Sequence, residues 1–257
     1  GKVGGIKDNQ TKQAEYIYHN LMINANVIHE AYKEGVPRVL SSLSTCAFPD
    51  KAQTYPFDEH TLHMGSPADS NLSYGYAKRV LKVMSDAYRK QYDLNYSTFT
   101  PSNLYGPHDN FDLESSHFVA AMIRKFYEAT EGDTIEFWGT GKPLRQQLFV
   151  NDLANIIPVL LQKHNSDIPI IIAPNENLSI NEMIKICDNV VGRQNIIKFN
   201  DIYDGQHRKD GSNKRLVNLL GGFEFTKFKD GIEITYEWYE QNSNDNRNNW
   251  PGRSLLS

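Results

Sequence analysis

No stretch of this sequence is apolar for long enough to cross a bilayer. One of the longest such runs, Ile168-Pro169-Ile170-Ile171-Ile172-Ala173, falls far short of the roughly 20 residues a spanning helix needs. Cysteine is scarce. Cys46 and Cys187 are the only two, too few for a disulfide framework, and they point to a reducing, cytoplasmic setting. No Cys-x-x-Cys, His-x-x-x-His or P-loop pattern occurs, so no metal site is expected. Positive charge is not in surplus either. The balance of 27 Lys and Arg against 31 Asp and Glu leaves a net charge of -4, which argues against a nucleic-acid partner.

What is present suits a soluble globular protein. Its 257 residues are 39% hydrophobic and 23% charged, enough for one large domain or two small interleaved ones. Apolar positions Ile17, Leu21, Ile28 and Ala31 predict one long amphipathic helix over about Asn9 to Glu34, stopped by Gly35. Pro37 to Leu43 reads as a buried parallel strand that opens into a Pro-rich and polar loop from Phe48 to Ser73. A helix over Tyr74 to Tyr92 and a strand over Leu94 to Thr100 follow. Thr134 to Trp138 and Gln147 to Val150 are short strand candidates. Asn151 or Asp152 could cap a helix through Leu161. Ile168 to Ala173 is another strand. Ser179 with Glu182 three residues on forms a capping-box pattern for a helix to Val191, and Asp230-Gly231 leads into a last helix to about Gln241. The Asn-rich end, 242–257, is expected to be loose. Strands alternate with helices, so the expected class is α/β with a mostly parallel sheet whose ligands bind beyond the carboxyl ends of the strands.

A few residues could carry chemistry. Tyr74 and Lys78 are four apart and share one helix face. An ammonium beside a phenol lowers its pKa and equips it to exchange a proton with a sugar carbonyl or hydroxyl. Ser44, at the end of the first strand, could donate to the same oxygen or simply bond its own turn. Cys46 is either a small buried hydrophobe or, if a cation lowers its pKa, a base. His117 precedes an apolar helical run and suits a general acid. Trp138-Gly139-Thr140-Gly141, with Arg145, offers a stacking ring and a guanidinium fork for phosphate, or an ordinary hairpin.

Together, Lys2-Val3-Gly4-Gly5-Ile6, Ser44-Thr45-Cys46-Ala47-Phe48-Pro49-Asp50-Lys51, Tyr74-Gly75-Tyr76-Ala77-Lys78, the run from Pro101 to Phe111, and Trp138 to Gly141 with Arg145 resemble the GDP-L-fucose synthase family of extended short-chain dehydrogenase/reductases. The resemblance extends from Lys2 to about Gln241. It implies a Rossmann-like doubly wound parallel sheet with a smaller α/β substrate-binding domain. The former takes residues 1–106 and 146–174, the latter 107–145 and 175–241. It also implies NADPH as cofactor and GDP-4-keto-6-deoxy-D-mannose as substrate, epimerised at C3 and C5 and then reduced at C4. By motif, Ser44, Tyr74 and Lys78 match the reductase triad, and Cys46 and His117 the base and acid of epimerisation. Gly4, Leu43, Pro101, Ser102, Asn103 and Leu104 match cofactor contacts, together with Ser44, Tyr74, Lys78 and His117. Gly5, Lys125, Trp138, Arg145 and Asp204 match substrate contacts. Members commonly form homodimers through the two long helices.

The glycine-rich turn that grips a cofactor pyrophosphate in this family does not occur in these 257 residues. The expectation is therefore that the chain is part of a longer protein, with N-terminal strands missing here, and that alone it folds poorly and shows little activity. Two other readings remain at this level. One is a different nucleotide-sugar epimerase or dehydratase; dehydratases usually place Asp-Glu after the Thr or Ser, where this chain has Cys46-Ala47. The other is an inactive nucleotide-sugar-binding subunit.

Overall fold

The computed structural model describes residues 1–200, 202 and 205–246. Asp204, matched above to a substrate contact, lies outside the described residues. In chain order the elements are α1 (Ile6–Thr11), α2 (Gln13–Lys33), β1 (Arg38–Ser42), α3 (Leu72–Tyr92), β2 (Asn95–Pro101), β3 (Asn103–Tyr105), α4 (Phe118–Glu128), β4 (Thr134–Phe137), β5 (Leu144–Arg145), β6 (Gln147–Phe149), α5 (Val150–Lys163), β7 (Ile170–Ile172), β8 (Leu178–Ser179), α6 (Ile180–Val191), β9 (Ile196–Phe199), β10 (Arg208–Lys209), α7 (Lys214–Leu220) and α8 (Phe228–Asn246).

The central sheet is parallel, in the order β1-β2-β7, with Arg38 opposite Asn95 and Phe99 opposite Ile170. Successive side chains of a strand face opposite sides, and the core divides accordingly. Ile171 packs with Ile28 of α2, Leu81 of α3, Tyr96 and Phe48. Its neighbours Ile170 and Ile172 pack with Phe99, Ile156 and Leu160 of α5 and Leu216 of α7. Helices therefore cover both faces, and burial of each such side chain contributes roughly 1.5–3 kcal/mol. A third apolar cluster gathers Tyr105, the inner face of α4, β4, Met183 and Ile184 of α6, and Phe228, Ile232 and Tyr236 of α8. Here β4 pairs with β9 and β3 with β6, all in parallel. The small sheet β10-β5-β8 completes this layer.

Some local expectations need correction. The first long helix is broken at Lys12 (φ -119°, ψ 37°), although no Pro or Gly marks the site. The Tyr16 hydroxyl donates to Asp8, and Asn9 Nδ2 donates to the carbonyls of Gly4 and Gly5, so side-chain contacts with neighbouring turns set the direction of α1. Neither Asn151 nor Asp152 caps α5. The N-cap is Phe149, with no side-chain cap, and Asp152 instead accepts from the Thr226 backbone and hydroxyl at 2.9 and 2.8 Å. The α8 helix continues to Asn246, five residues into the stretch expected to be loose. The excursion between β1 and α3 is ordered: it holds three short 3-10 turns, Thr45–Ala47, Glu59–His63 and Asp69–Asn71. It is stitched to the segment around β10, where the Phe57 N–H donates to the Asp210 carbonyl and the Phe57 carbonyl accepts from Ser212 N–H.

Candidate active site

The carboxyl ends of β1 and β2, the start of α3 and the start of α4 open onto one cavity of about 570 Å³. Ser44, Cys46, Tyr74, Lys78 and His117, drawn from three distant stretches of chain, all line it, as do Gly4, Leu43, Pro101, Ser102, Asn103 and Leu104. Among the described residues its wall excludes Gly5, Lys125, Trp138 and Arg145. Lys125 and Trp138 flank β4 in the second layer. The Lys125 ammonium donates to the Glu136 carbonyl at 2.6 Å and lies over the Phe137 ring, and Trp138 is 55% exposed. Arg145 is close enough to Cys46 for its charge to act on the thiol.

Local chemistry explains this convergence. Ser44 is extended and caps the short turn Thr45–Ala47, its Oγ accepting from Cys46 N–H at 3.2 Å. Its hydroxyl also lies close enough to Tyr74 to favour the phenolate. The α3 helix comes close to this turn because residue 75 is glycine. A Cβ there would sit 2.6 Å from the Cys46 carbonyl oxygen. Arg79 then clamps helix to loop, its Nε donating to the Ala47 carbonyl at 2.6 Å and Nη2 to the Gly65 carbonyl at 2.7 Å. Lys78 is buried, and its ammonium donates to the Ser42 carbonyl at 2.9 Å.

The electrostatics depart from one expectation. Lys78 lies over the face of the Tyr74 ring, 5.7 Å from its centre, and its own pKa is lowered by burial. The Tyr74 phenol is not acidified. Burial pushes its pKa well up, the Cys46 charge pushes the same way, and only the Ser44 hydrogen bond opposes. An ammonium held by a carbonyl above the ring cannot offset desolvation of the hydroxyl. Cys46 goes the other way. Burial raises its pKa, but Lys209, Ser44 and Arg145 together outweigh that and bring the thiol below its ordinary value. His117 is open to solvent through the cavity yet walled by protein atoms. Desolvation lowers its pKa, Asp109 pulls it up and Lys209 adds to the lowering. The Asp109 carboxyl is itself pushed up by burial.

Lys209 and Asp109 are the residues that sequence reasoning missed. Asp109 lay inside a quoted motif without a role. Lys209 sits in Arg208-Lys209-Asp210, which reads locally as a solvated charge run. Its ammonium donates to Cys46 Sγ at 2.9 Å, a contact spanning 163 residues that no local pattern reports.

The cavity fits the nicotinamide end of a dinucleotide. The donors of Tyr74 and Lys78 face the strand ends, and Ser102 Oγ is buried on the wall without a hydrogen-bond partner among the described residues. Among those residues no group of His, Cys, Asp and Glu could hold a metal ion, and no helix is long and apolar enough to cross a membrane.

Residues 1–173 match the NAD dependent epimerase/dehydratase family. A probable GDP-L-fucose synthase of Drosophila melanogaster is 34% identical over 253 residues, which is 93% of this chain and 78% of that protein. The GDP-L-fucose synthase of Sinorhizobium fredii is 38% identical over 248 residues, 95% of this chain and 78% of its own. A GDP-L-fucose synthetase from Naegleria fowleri, solved with NADP bound, superposes with a TM-score of 0.86 at 30% identity, over 94% of this chain and 76% of that one.

Proposed function

Because the chain belongs to the NAD dependent epimerase/dehydratase family and, within it, to the GDP-L-fucose synthases, we propose that it converts GDP-4-keto-6-deoxy-D-mannose to GDP-L-fucose at the cavity described above. The observation that carries this reading is the convergence of a hydroxyl, a thiol, a phenol, an ammonium and an imidazole on one cavity. Protons beside a ketone are acidic because the electron pair they leave spreads onto the carbonyl oxygen. Ser44 and Tyr74 stabilise that oxygen by hydrogen bonds. The Cys46 thiolate takes a proton from C3 or C5: an S–H bond forms, the C–H bond breaks, and its electron pair moves onto the C4 oxygen. Protonated His117, supported by Asp109, returns a proton to the other face of the same carbon. NADPH, when bound, is the hydride source for C4, a job no side chain can do. Tyr74 delivers the proton to the C4 oxygen, and its high pKa keeps it protonated until that charge develops.

Gly4, Leu43 and Pro101 to Leu104 would hold the nicotinamide end of NADPH. Arg145, Lys125, Trp138 and Gly5 would hold the nucleotide of the substrate. The division into 1–106 with 146–174 and 107–145 with 175–241 belongs to the same proposal. It is supported by the two clusters that enclose the central sheet and by the separate third cluster, although α7 packs with the sheet. We also propose a homodimer. Tyr18, Met22, Ile23 and Val27 on α2 and Tyr76, Val80 and Val83 on α3 are large apolar side chains left exposed, at spacings that put them on helix faces a second copy would cover. A cytoplasmic setting is supported by two cysteines that are both free. The test supplies GDP-4-keto-6-deoxy-D-mannose and NADPH to the full-length protein. Nicotinamide absorbance falls and GDP-L-fucose accumulates; a folded protein that oxidises no NADPH overturns the reading.

A further inference from the structure

Lys209 stands out because, among the described residues, the group its ammonium meets is the thiol. The nearest carboxylate in sequence, Asp210, is buried and engaged by Arg208, with Nε at 2.5 Å from Oδ1 and Nη2 at 2.9 Å from Oδ2. Lys209 itself is partly buried, and among the described residues its hydrogen-bond partner is the Cys46 sulfur at 2.9 Å. Its position is fixed by backbone pairing. Lys209 lies opposite Arg145 in the β10–β5 pair, and the next residues are fastened to Phe57. Two cations on adjacent strands thus act on one sulfur.

We propose that Lys209 is a positioning residue for the epimerisation base: its ammonium aims the Cys46 sulfur into the cavity and balances the negative charge the sulfur carries between turnovers. This rests on the reading of Cys46 as that base. Among the described residues the charged and titratable groups acting on Cys46 are Lys209 on β10, Arg145 on β5 and Tyr74 on α3, and the Lys209 charge also acts on His117. Burial alone raises a thiol's pKa, and the cation reverses that. When the thiolate takes a proton from the sugar carbon, one negative charge moves from sulfur to the C4 oxygen. Lys209 loses its counter-charge at the moment Ser44 and Tyr74 gain theirs. Lys209 also disfavours protonation of His117, and the Asp109 carboxylate opposes that effect.

The test is the pH dependence of Cys46 alkylation by iodoacetamide, followed by peptide mass spectrometry on the apo protein. Cys187 is fully buried, with its pKa raised by burial, and stays unlabelled. In the native protein the alkylation midpoint falls below the roughly 8.5 of a free thiol. In Lys209→Met it moves up by about one to two pH units, so labelling near neutral pH slows about 10- to 100-fold. Lys209→Arg restores the rate to within about threefold of native. A native midpoint at or above that of a free thiol overturns the proposal without any variant. An unchanged midpoint in Lys209→Met also overturns it, and Lys209→Gln is scored on the same scale should Lys209→Met lose its circular dichroism signal. Exchange of the C3 and C5 protons with solvent is measured separately in Cys46→Ser. If alkylation shifts as expected but that exchange is undiminished, the base assignment fails and the pair has no catalytic purpose. The two failures are told apart by which readout stays still.

Discussion

Replacing Gly75 by alanine tests the geometry of the site most directly. A Cβ at this position would lie 2.6 Å from the Cys46 carbonyl oxygen and 2.8 and 2.9 Å from two Pro67 ring carbons, where ordinary contact begins at 3.4 Å. About 0.8 Å must therefore be found. Neither neighbour is the free end of a flexible chain: one is backbone and the other a proline ring. The loop cannot swing away cheaply, since Ala47 is fully buried and its carbonyl is gripped by Arg79. The displacement must open the distance between Ser44 and Cys46 on one side and Tyr74 on the other. A misplacement of about 1 Å of reacting groups costs roughly 100-fold in rate. Overpacking costs about 1–3 kcal/mol, but alanine returns about 1 kcal/mol of helix propensity. At about 2–4 °C per kcal/mol for a chain of this size, the melting temperature should fall by only a few degrees. The expected result is a kcat about 100-fold lower, by nicotinamide absorbance, in a protein that remains folded. A Gly75→Ala enzyme within threefold of native kcat would show that the close approach of α3 to the Cys46 turn does not set the geometry of the site.

Other substitutions separate the two chemical steps. Cys46→Ser should slow exchange of the C3 and C5 protons with solvent by two or more orders of magnitude, in the range expected for loss of a general base, while NADPH titrations show unchanged binding; exchange at the native rate would remove Cys46 from the mechanism. Tyr74→Phe should lower kcat about 10²- to 10⁴-fold with little change in substrate affinity; a rise in KM with kcat intact would assign Tyr74 to binding alone. His164 predicts an acid sensitivity. It is 4% exposed, and burial lowers its pKa to about 4 against an ordinary 6.5. The unfolded chain therefore takes up a proton that the folded one refuses. Stability is full above about pH 6.5 and is lost as pH falls toward 4, amounting to about 2 kcal/mol between pH 7.5 and 5. Urea midpoints of native and His164→Gln proteins across that range should converge as pH falls; parallel curves would refute the assignment.

The parts of the fold that sequence exposes are those whose cause is local. The unbroken apolar run ending in Ile170-Ile171-Ile172 reads as a strand covered on both faces, and alternate isoleucines do belong to opposite cores. Ser179 and Glu182 cap α6 reciprocally, as their spacing predicts. Features with distant causes stay hidden. Asp152 serves Thr226 rather than its own helix, and Lys209 meets Cys46 only after two small strands align. The site divides in the same way. Its spacing motifs place Ser44, Tyr74 and Lys78 on adjoining ends, but the direction of the Tyr74 shift follows from burial, which spacing does not encode.

The two backbone rungs between Phe57 and residues 210 and 212 constrain how the molecule can breathe. With the Gln206 amide also donating to the Asp50 carbonyl, the excursion after β1 and the strip bearing Lys209 travel as one piece. Any bending that separated the two would have to break these bonds, so the same strip that carries the ammonium is tied to the loop that carries the thiol.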